Sequence, residues 1–244
     1  ELVNQEDSFI MVLADGLGSG VKANILSTLT SKIIATMMAG GLSVEECVST
    51  MAQTLPVCAE RGVAYSTFTI LQADKITGEV YLAQFDNPSV ILLREGKSVA
   101  YPIQERVMEG KRILESRIPG QVGDLFVAMS DGAIHAGVGS VLNFGWQLPE
   151  IIDYAQRSWK PDLSAKGMAA AISDACRDLY MDRPGDDTTV AALRLRRRAQ
   201  VDLMIGPPVD PARDREICAD FFALEGKHIV CGGTTSKMVA AYLG

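Results

Sequence analysis

The chain has 244 residues, 48% of them hydrophobic and 22% charged, with a formal net charge of −7. That length can bury a substantial core, as one domain or as one domain plus a small appendage. The acidic balance speaks against nucleic acid as a partner, because proteins that bind a phosphate backbone carry a basic face. No run approaches the roughly 18 apolar residues of a membrane span, and the opening ELVNQED lacks the basic and apolar regions of a signal peptide. The expectation is a cytoplasmic chain with no membrane partner. Cys47, Cys58, Cys176, Cys218 and Cys231 form no CxxC pair, so each is expected to be a small buried hydrophobe rather than a zinc ligand or half of a disulfide.

In chain order, Phe9 to Leu13 is continuously apolar, the pattern of a strand covered on both faces. It runs into Asp15 and then Gly16, Gly18 and Gly20. Helical periodicity follows over about 20–39 and 43–60, divided by Gly40 and Gly41, with Ser43 as N-cap and Glu46 as its capping-box partner. Ile25, Leu29, Ile33 and Met37 are the expected core face of this helical hairpin. Short β segments come next, at Ser66 to Gln72, Glu79 to Phe85, Ser89 to Arg94 and Ser98 to Pro102, separated by DKITG, DNP and REGK turns. A strand over Asp124 to Met129 ends in SDGAIHAG, helices occupy about 148–157 and 164–181, and GDDTTVAALRLR passes from a polar turn into a strand. Strands and helices come in blocks, which favours α+β layers over a doubly wound sheet.

Beyond the basic run Arg194 to Arg198 lies a β-α-β-α segment: a strand about 201–205, a helix from Pro211 after Asp210, a strand 228–231, and Gly232-Gly233-Thr234-Thr235 opening a last helix. The expected division is a main domain over 1–198 and a small segment over 199–244, too short to hold a large core alone.

Three places share one design, an aspartate beside glycine at the end or start of an apolar strand: LADGLGSG (Asp15), AMSDGAIHAG (Asp131) and PGDDTTVAAL (Asp186, Asp187). Carboxylates gathered at strand ends repel one another unless something cationic lies between them. With only two histidines in the chain, an all-oxygen set points to Mg²⁺ or Mn²⁺ rather than zinc. Taken alone, the first glycine loop leaves two readings open: a phosphate cradle at a helix start, or a turn that presents Asp15 to a metal.

Together, DGLGSG, SDGAIHAG and GDDTT resemble, in order and spacing, the motifs of the type 2C metal-dependent (PPM) protein serine/threonine phosphatases, in particular their bacterial stage-II-sporulation-E-like branch, over about residues 5–196. The resemblance implies an α-β-β-α four-layer sandwich of two antiparallel sheets flanked by helices. It implies that Asp15 bridges two Mn²⁺ or Mg²⁺ ions with help from the Gly16 carbonyl, and that Asp131 and Asp186 bind one of them. Asp187 stands where many relatives have asparagine. The implied activity is hydrolysis of phosphoserine or phosphothreonine on a partner phosphoprotein, in this branch often a small anti-anti-sigma-type regulator, by a metal-activated water. His135, four residues after Asp131, is either a proton donor to the leaving oxygen or simply a polar loop histidine.

The chain departs from the family at its start. The strand that in relatives supplies a further acidic residue and an arginine is expected to be missing, since Glu6 and Asp7 are poorly placed to replace it, so reduced activity or partial metal loading is anticipated. Two alternatives stand beside the phosphatase: a catalytically weak regulatory scaffold, and an anion-sensing module in which CGGTTSKM holds phosphate on backbone N–H groups.

Overall fold

The apolar run at the start of the chain is a strand buried on both sides, and it organises everything around it. In the computed structural model, which describes residues 1–16, 20–55, 66–183 and 185–244, β1 (Leu2–Asn4) pairs antiparallel with β2 (Ser8–Asp15). Ile10, Met11, Val12 and Leu13 are all at most 5% exposed. The chain divides into two compact units, Glu1–Arg196 and Arg197–Gly244.

In the first unit, α1 (Val21–Ala39) and α2 (Val44–Thr54) form the expected hairpin. Ser43 caps α2 through a reciprocal capping box with Glu46, which satisfies two backbone donors that a helix start leaves free. Then come β3 (Thr67–Asp74), β4 (Glu79–Phe85), β5 (Ile91–Arg94), β6 (Lys97–Ser98), β7 (Gln104–Met108), β8 (Lys111–Pro119) and β9 (Leu125–Met129). They are followed by α3 (Asp131–Ile134), α4 (Leu148–Ser158), α5 (Ala165–Leu179) and β10 (Val190–Arg194). The strands form a six-stranded sheet, β1-β2-β3-β4-β8-β7, and a four-stranded sheet, β10-β9-β5-β6. All their pairings are antiparallel.

Three apolar layers follow from the period-two alternation of strand side chains. Met11 and Leu13 of β2 meet Leu92 of β5 and Phe126 and Ala128 of β9 between the sheets. Ile10 and Val12 point the other way, against Ile34, Met38, Val48 and Met51 of the helical hairpin. On the outer face of the smaller sheet, Leu125, Val127 and Met129 pack against Ile151 of α4 and Ile172 and Cys176 of α5. Helix, sheet, sheet, helix is the architecture the motifs implied. At the end of β9 remote from Asp131, Arg94 grips the buried Asp124 through two hydrogen bonds of 2.8 and 2.7 Å, so this interior charge is paired.

Several local expectations are corrected. The buried face of α1 is Ala23, Thr30, Ser31, Ile34, Ala35 and Met38. Ile33 and Met37 only flank that core, while Ile25 and Leu29 are 53% and 41% exposed. The helix is apolar on more than one side, so periodicity alone does not select the face. The segment expected as a strand over Ser98 to Pro102 shrinks to β6, and the β7–β8 hairpin takes the next place in the chain. Its two-residue turn, Glu109 and Gly110, has φ values of 48° and 73°, the primed geometry that matches strand twist. Cys47, Cys176 and Cys218 are buried but Cys231 is exposed; Cys58, with the expected extension of the second helix to 60, lies outside the described residues.

The second unit is built from β11 (Val201–Ile205), a 3₁₀ turn at Pro211–Arg213, α6 (Asp214–Ala223), β12 (Lys227–Cys231) and α7 (Gly233–Leu243). β11 and β12 pair in parallel, Ile205 opposite Cys231, as a strand-helix-strand unit requires. Met204, Cys218, Phe221 and Val239 form a small core of their own.

The two faces of α1 make a direct test. Ile34→Ala should lower stability by about 2–4 kcal/mol through the cavity it leaves, whereas Ile25→Ala should change it by less than about 0.5 kcal/mol, as read from urea unfolding. Equal losses would mean that α1 is packed by its other face.

Candidate metal centre

The alternation that builds the sandwich also aims the aspartates. On β2, Phe9, Met11 and Leu13 face the opposite sheet, so Asp15, two residues further, continues that row past the apolar filling. On β9, Phe126 and Ala128 hold the same place, and Ser130 with Asp131 follows directly. β9 pairs with β10 up to Met129 opposite Val190, and Ser130 N–H extends the ladder by one bond to the Thr189 carbonyl at 3.0 Å. That extension carries the Asp186–Asp187 turn alongside Asp131. Three motifs far apart in sequence therefore meet at one mouth of the sandwich.

Their meeting is visible in the chemistry of Asp15. Its carboxyl pKa is pushed up to about 6, first by burial and then by the negative charge of Asp131, with further contributions from Asp186 and Asp187, while a hydrogen bond from Gly16 N–H opposes the rise. None of the ion pairs among the described residues involves these four carboxylates. Asp15 Oδ1 accepts from Gly16 N–H at 2.9 Å and Asp186 Oδ1 from Asp187 N–H at 2.9 Å, so each turns in part onto its own backbone. Among the described residues, no three acidic, histidine or cysteine side chains close into a ready cage. The donor set still fits a hard divalent cation: all oxygen, strongly anionic, and without a protein counter-charge among the described ion pairs.

A second set of residues, not evident from the sequence, holds the mouth together. The Ser130 hydroxyl accepts from Thr189 N–H at 2.9 Å and donates to the Asp187 carbonyl at 3.2 Å. Tyr180 at the end of α5 donates to the Gly132 carbonyl at 2.8 Å. Gly132 is glycine for want of room, since a Cβ there would stand 2.3 Å from the Asp187 carbonyl oxygen. Gly16 is equally confined, its Cβ position lying 2.8 Å from Ala23 of α1. The Thr30 hydroxyl of α1 accepts from Ser66 N–H at 3.2 Å, one residue before Thr67, which pairs with Asp15. The repeated DG and DDTT patterns mark the carboxylates, but these supports depend on tertiary contact and leave no local pattern.

His135 caps the end of the short α3, its N–H bonded to the Asp131 carbonyl at 3.1 Å. It is exposed, and no hydrogen bond or ion pair joins its ring to the carboxylates among the described residues. Glu6 and Asp7 precede Ser8, at the far end of β2, roughly 25 Å along the strand from Asp15, and take no part in the centre. Gly18 lies outside the described residues.

The crowding of Asp15 has a sign that can be measured. In the folded chain this carboxyl keeps its proton up to about pH 6, against 3.8 for an ordinary aspartate. The folded state therefore binds more protons across that window, and stability falls as pH rises through it. In EDTA, Asp15→Asn should stabilise the first unit at pH 7.5 by on the order of 1–2 kcal/mol after solvent screening, with the gain fading toward pH 4. Mn²⁺ should raise the melting temperature of the wild type and not of this variant. An Asp15→Asn protein that is less stable at pH 7.5 would show that burial and the neighbouring charges do not disfavour the Asp15 carboxylate.

A family model, Stage II sporulation protein E (SpoIIE), matches residues 5–196. No curated protein matches the chain. Among solved structures, the PP2C phosphatase domain of SpoIIE from Bacillus subtilis, with a fragment of its regulatory domain, superposes with a TM-score of 0.65 at 16% identity, over 80% of this chain and 57% of that one. The chain thus spans little more than half of that relative's length. The RsbU and RsbW domains of a Mycobacterium tuberculosis protein superpose with a TM-score of 0.65 at 18% identity, over 91% of this chain and 64% of that one. RsbX in complex with magnesium gives 0.52 at 19% identity, over 78% and 83%. With its three motifs at one mouth of a four-layer sandwich, the chain belongs to the stage II sporulation protein E family of PP2C-type phosphatase domains.

Proposed function

We propose that the first unit is a metal-dependent protein phosphatase that hydrolyses phosphoserine or phosphothreonine on a partner regulatory protein. The observation that carries this reading is the convergence of Asp15, Asp131, Asp186 and Asp187, expressed in the raised pKa of Asp15. Asp15 and the Gly16 carbonyl, Asp131 and Asp186 would hold two Mn²⁺ or Mg²⁺ ions, with Asp187 in a secondary place. The magnesium-bound state of RsbX supports that metal class. Bound, such ions supply Lewis-acid charge to phosphoryl oxygens and lower the pKa of an attacking water.

The chain's own residues do the rest. Ser130, Gly132 and Tyr180 lock the Asp131 and Asp186 turns together, so the carboxylates need little rearrangement to act, which is what electrostatic stabilisation of a transition state requires. His135 is the proposed proton source for the leaving seryl or threonyl oxygen. The substrate proposed is a small phosphorylated regulator of the anti-anti-sigma type, in keeping with the RsbU and RsbW domains found together in the mycobacterial relative.

Hydrolysis of para-nitrophenyl phosphate should require Mn²⁺ or Mg²⁺ and stop in EDTA; full activity in EDTA would refute the metal-dependent reading. Asp131→Asn and Asp186→Asn should each lower kcat by about 100-fold or more, and Asp187→Asn by less. His135→Gln should slow hydrolysis of a phosphoserine peptide far more than that of para-nitrophenyl phosphate, whose leaving group needs no proton. Equal effects on both substrates would remove His135 from the chemistry.

A further inference from the structure

We propose that Val138, Val141 and Phe144 form the surface that receives apolar side chains flanking the phosphorylated residue of the substrate protein, an inference that rests on the phosphatase reading of the first unit. The loop that carries them follows α3 directly. From Gly132 to Pro149 the chain has no aspartate, glutamate, lysine or arginine, although 22% of its residues are charged. Val138, Val141 and Phe144 are 50%, 53% and 81% exposed. Single apolar side chains on a surface need no explanation, but three together on one uncharged loop mark a place where another surface docks.

The loop is built to hold them in place. Trp146 N–H bonds to the Ala136 carbonyl and Leu142 N–H to that of Gly137, each at 3.0 Å, and Gly139 N–H bonds back to the Leu142 carbonyl at 3.2 Å. Gly137, Gly139 and Gly145 make the bends, with φ values of 83°, 70° and 80°. Leu142 packs against the core outside the smaller sheet, and Trp146, 9% exposed, meets Tyr154 edge-on at 5.2 Å. Two apolar side chains of the loop are thus anchors, and the other three stay outside. Those three are contiguous: a Cβ on Gly145, next to Phe144, would stand 2.8 Å from Val138 Cγ2, and one on Gly137, next to Val138, 3.0 Å from Val141 Cγ2.

The position of the loop names its occupant. The same Cβ position on Gly145 lies 3.0 Å from His135 Cα, which puts the Phe144 Cα within about 8 Å of it by chain geometry. One helical turn, about 6 Å, separates His135 from Asp131 in turn, so Phe144 lies within about 15 Å of the Asp131 backbone. A protein partner of standard size covers about 800 Å², a disc of about 16 Å radius, so a phosphoprotein whose phosphate sits at Asp131 reaches the loop. With no charge on this rim, what the loop adds to binding is apolar contact rather than ion pairing. An extended chain advances about 3.3 Å per residue, which places the matching side chains roughly three to five residues from the phosphoserine.

The test uses the full chain in Mn²⁺ and two synthetic peptides that share a central phosphoserine, one with leucines at those flanking positions and the other with glutamines. The leucine peptide should be favoured in kcat/KM by at least about tenfold. Val141→Ser and Phe144→Ser, both at exposed positions, should together reduce that preference to about twofold or less. His135→Gln, which acts on the leaving group, should slow both peptides alike and leave the preference as it was. Equal kcat/KM for the two peptides, or a preference retained in the folded double variant, would overturn the proposal. So would a lower sedimentation coefficient of that variant with its preference intact, which assigns the patch to a second copy of the chain. If no substrate is turned over in Mn²⁺, the phosphatase reading fails and binding decides: the amide resonances of Val138, Val141 and Phe144 should still shift with the leucine peptide, and resonances that ignore it at about 5 mM overturn the surface as well.

Discussion

The face-to-face packing of two antiparallel sheets is the constraint on which the rest of the first unit depends. Met11 and Leu13 on one sheet and Phe126 and Ala128 on the other share one apolar layer, and it fixes how β2 and β9 lie relative to each other. Side chains alternate strictly along a strand, so that layer also decides which residues emerge at its rim. Asp15 emerges from one sheet, and Ser130 with Asp131 from the other. Like charges are thus placed near one another by hydrophobic packing, and the raised pKa of Asp15 reflects first its burial at this rim and then the charge of Asp131. Carboxyls perturbed in this way cluster at functional sites.

The pairing of β9 with β10 adds the third motif at no further cost in placement. Once Met129 lies opposite Val190, the next rung brings Ser130 to Thr189, and the Asp186–Asp187 turn follows within a few residues. The glycine between Asp131 and Ala133 lets the turn approach, since any side chain on Gly132 would meet the Asp187 carbonyl. Ser130 and Tyr180 then hold both partners by hydrogen bonds. These hydrogen bonds fix the backbone of the two turns that carry the carboxylates.

How much of this was legible in the sequence differs by the kind of pattern involved. β2 was readable because both of its faces are covered, which makes the run from Phe9 to Leu13 apolar throughout. The three aspartate motifs could be picked out because Asp15, Asp131 and Asp186 each stand beside glycine next to an apolar strand. The β7–β8 hairpin was not, since Gln104 to Val107 are exposed and Glu-Gly is a weaker turn signal than Asn-Gly or Asp-Gly. The face of α1 was misplaced for the opposite reason: Val21, Ile25 and Leu29 are as apolar as the buried stripe, and composition cannot rank two apolar faces of one helix. Ser130, Tyr180 and Thr189 carry no local signature at all, because their role is set by partners some 48–59 residues away in the chain.

That second apolar face of α1 bears on how the centre is held. Gly16, which follows Asp15, has no space between itself and Ala23, and Thr30, two turns further along the same helix, is bonded to the residue before Asp15's strand partner. α1 is therefore fastened to the Asp15 turn at two points, one by contact and one by a buried hydrogen bond. A rigid helix fixed in this way cannot rotate or slide without displacing the Asp15 carboxylate or breaking the Thr30 bond. Val21, Ile25 and Leu29, at 76%, 53% and 41% exposure, lie at four-residue spacing and so on one side of this same helix. The position of α1 and that of the Asp15 turn are therefore linked through Gly16 and Thr30.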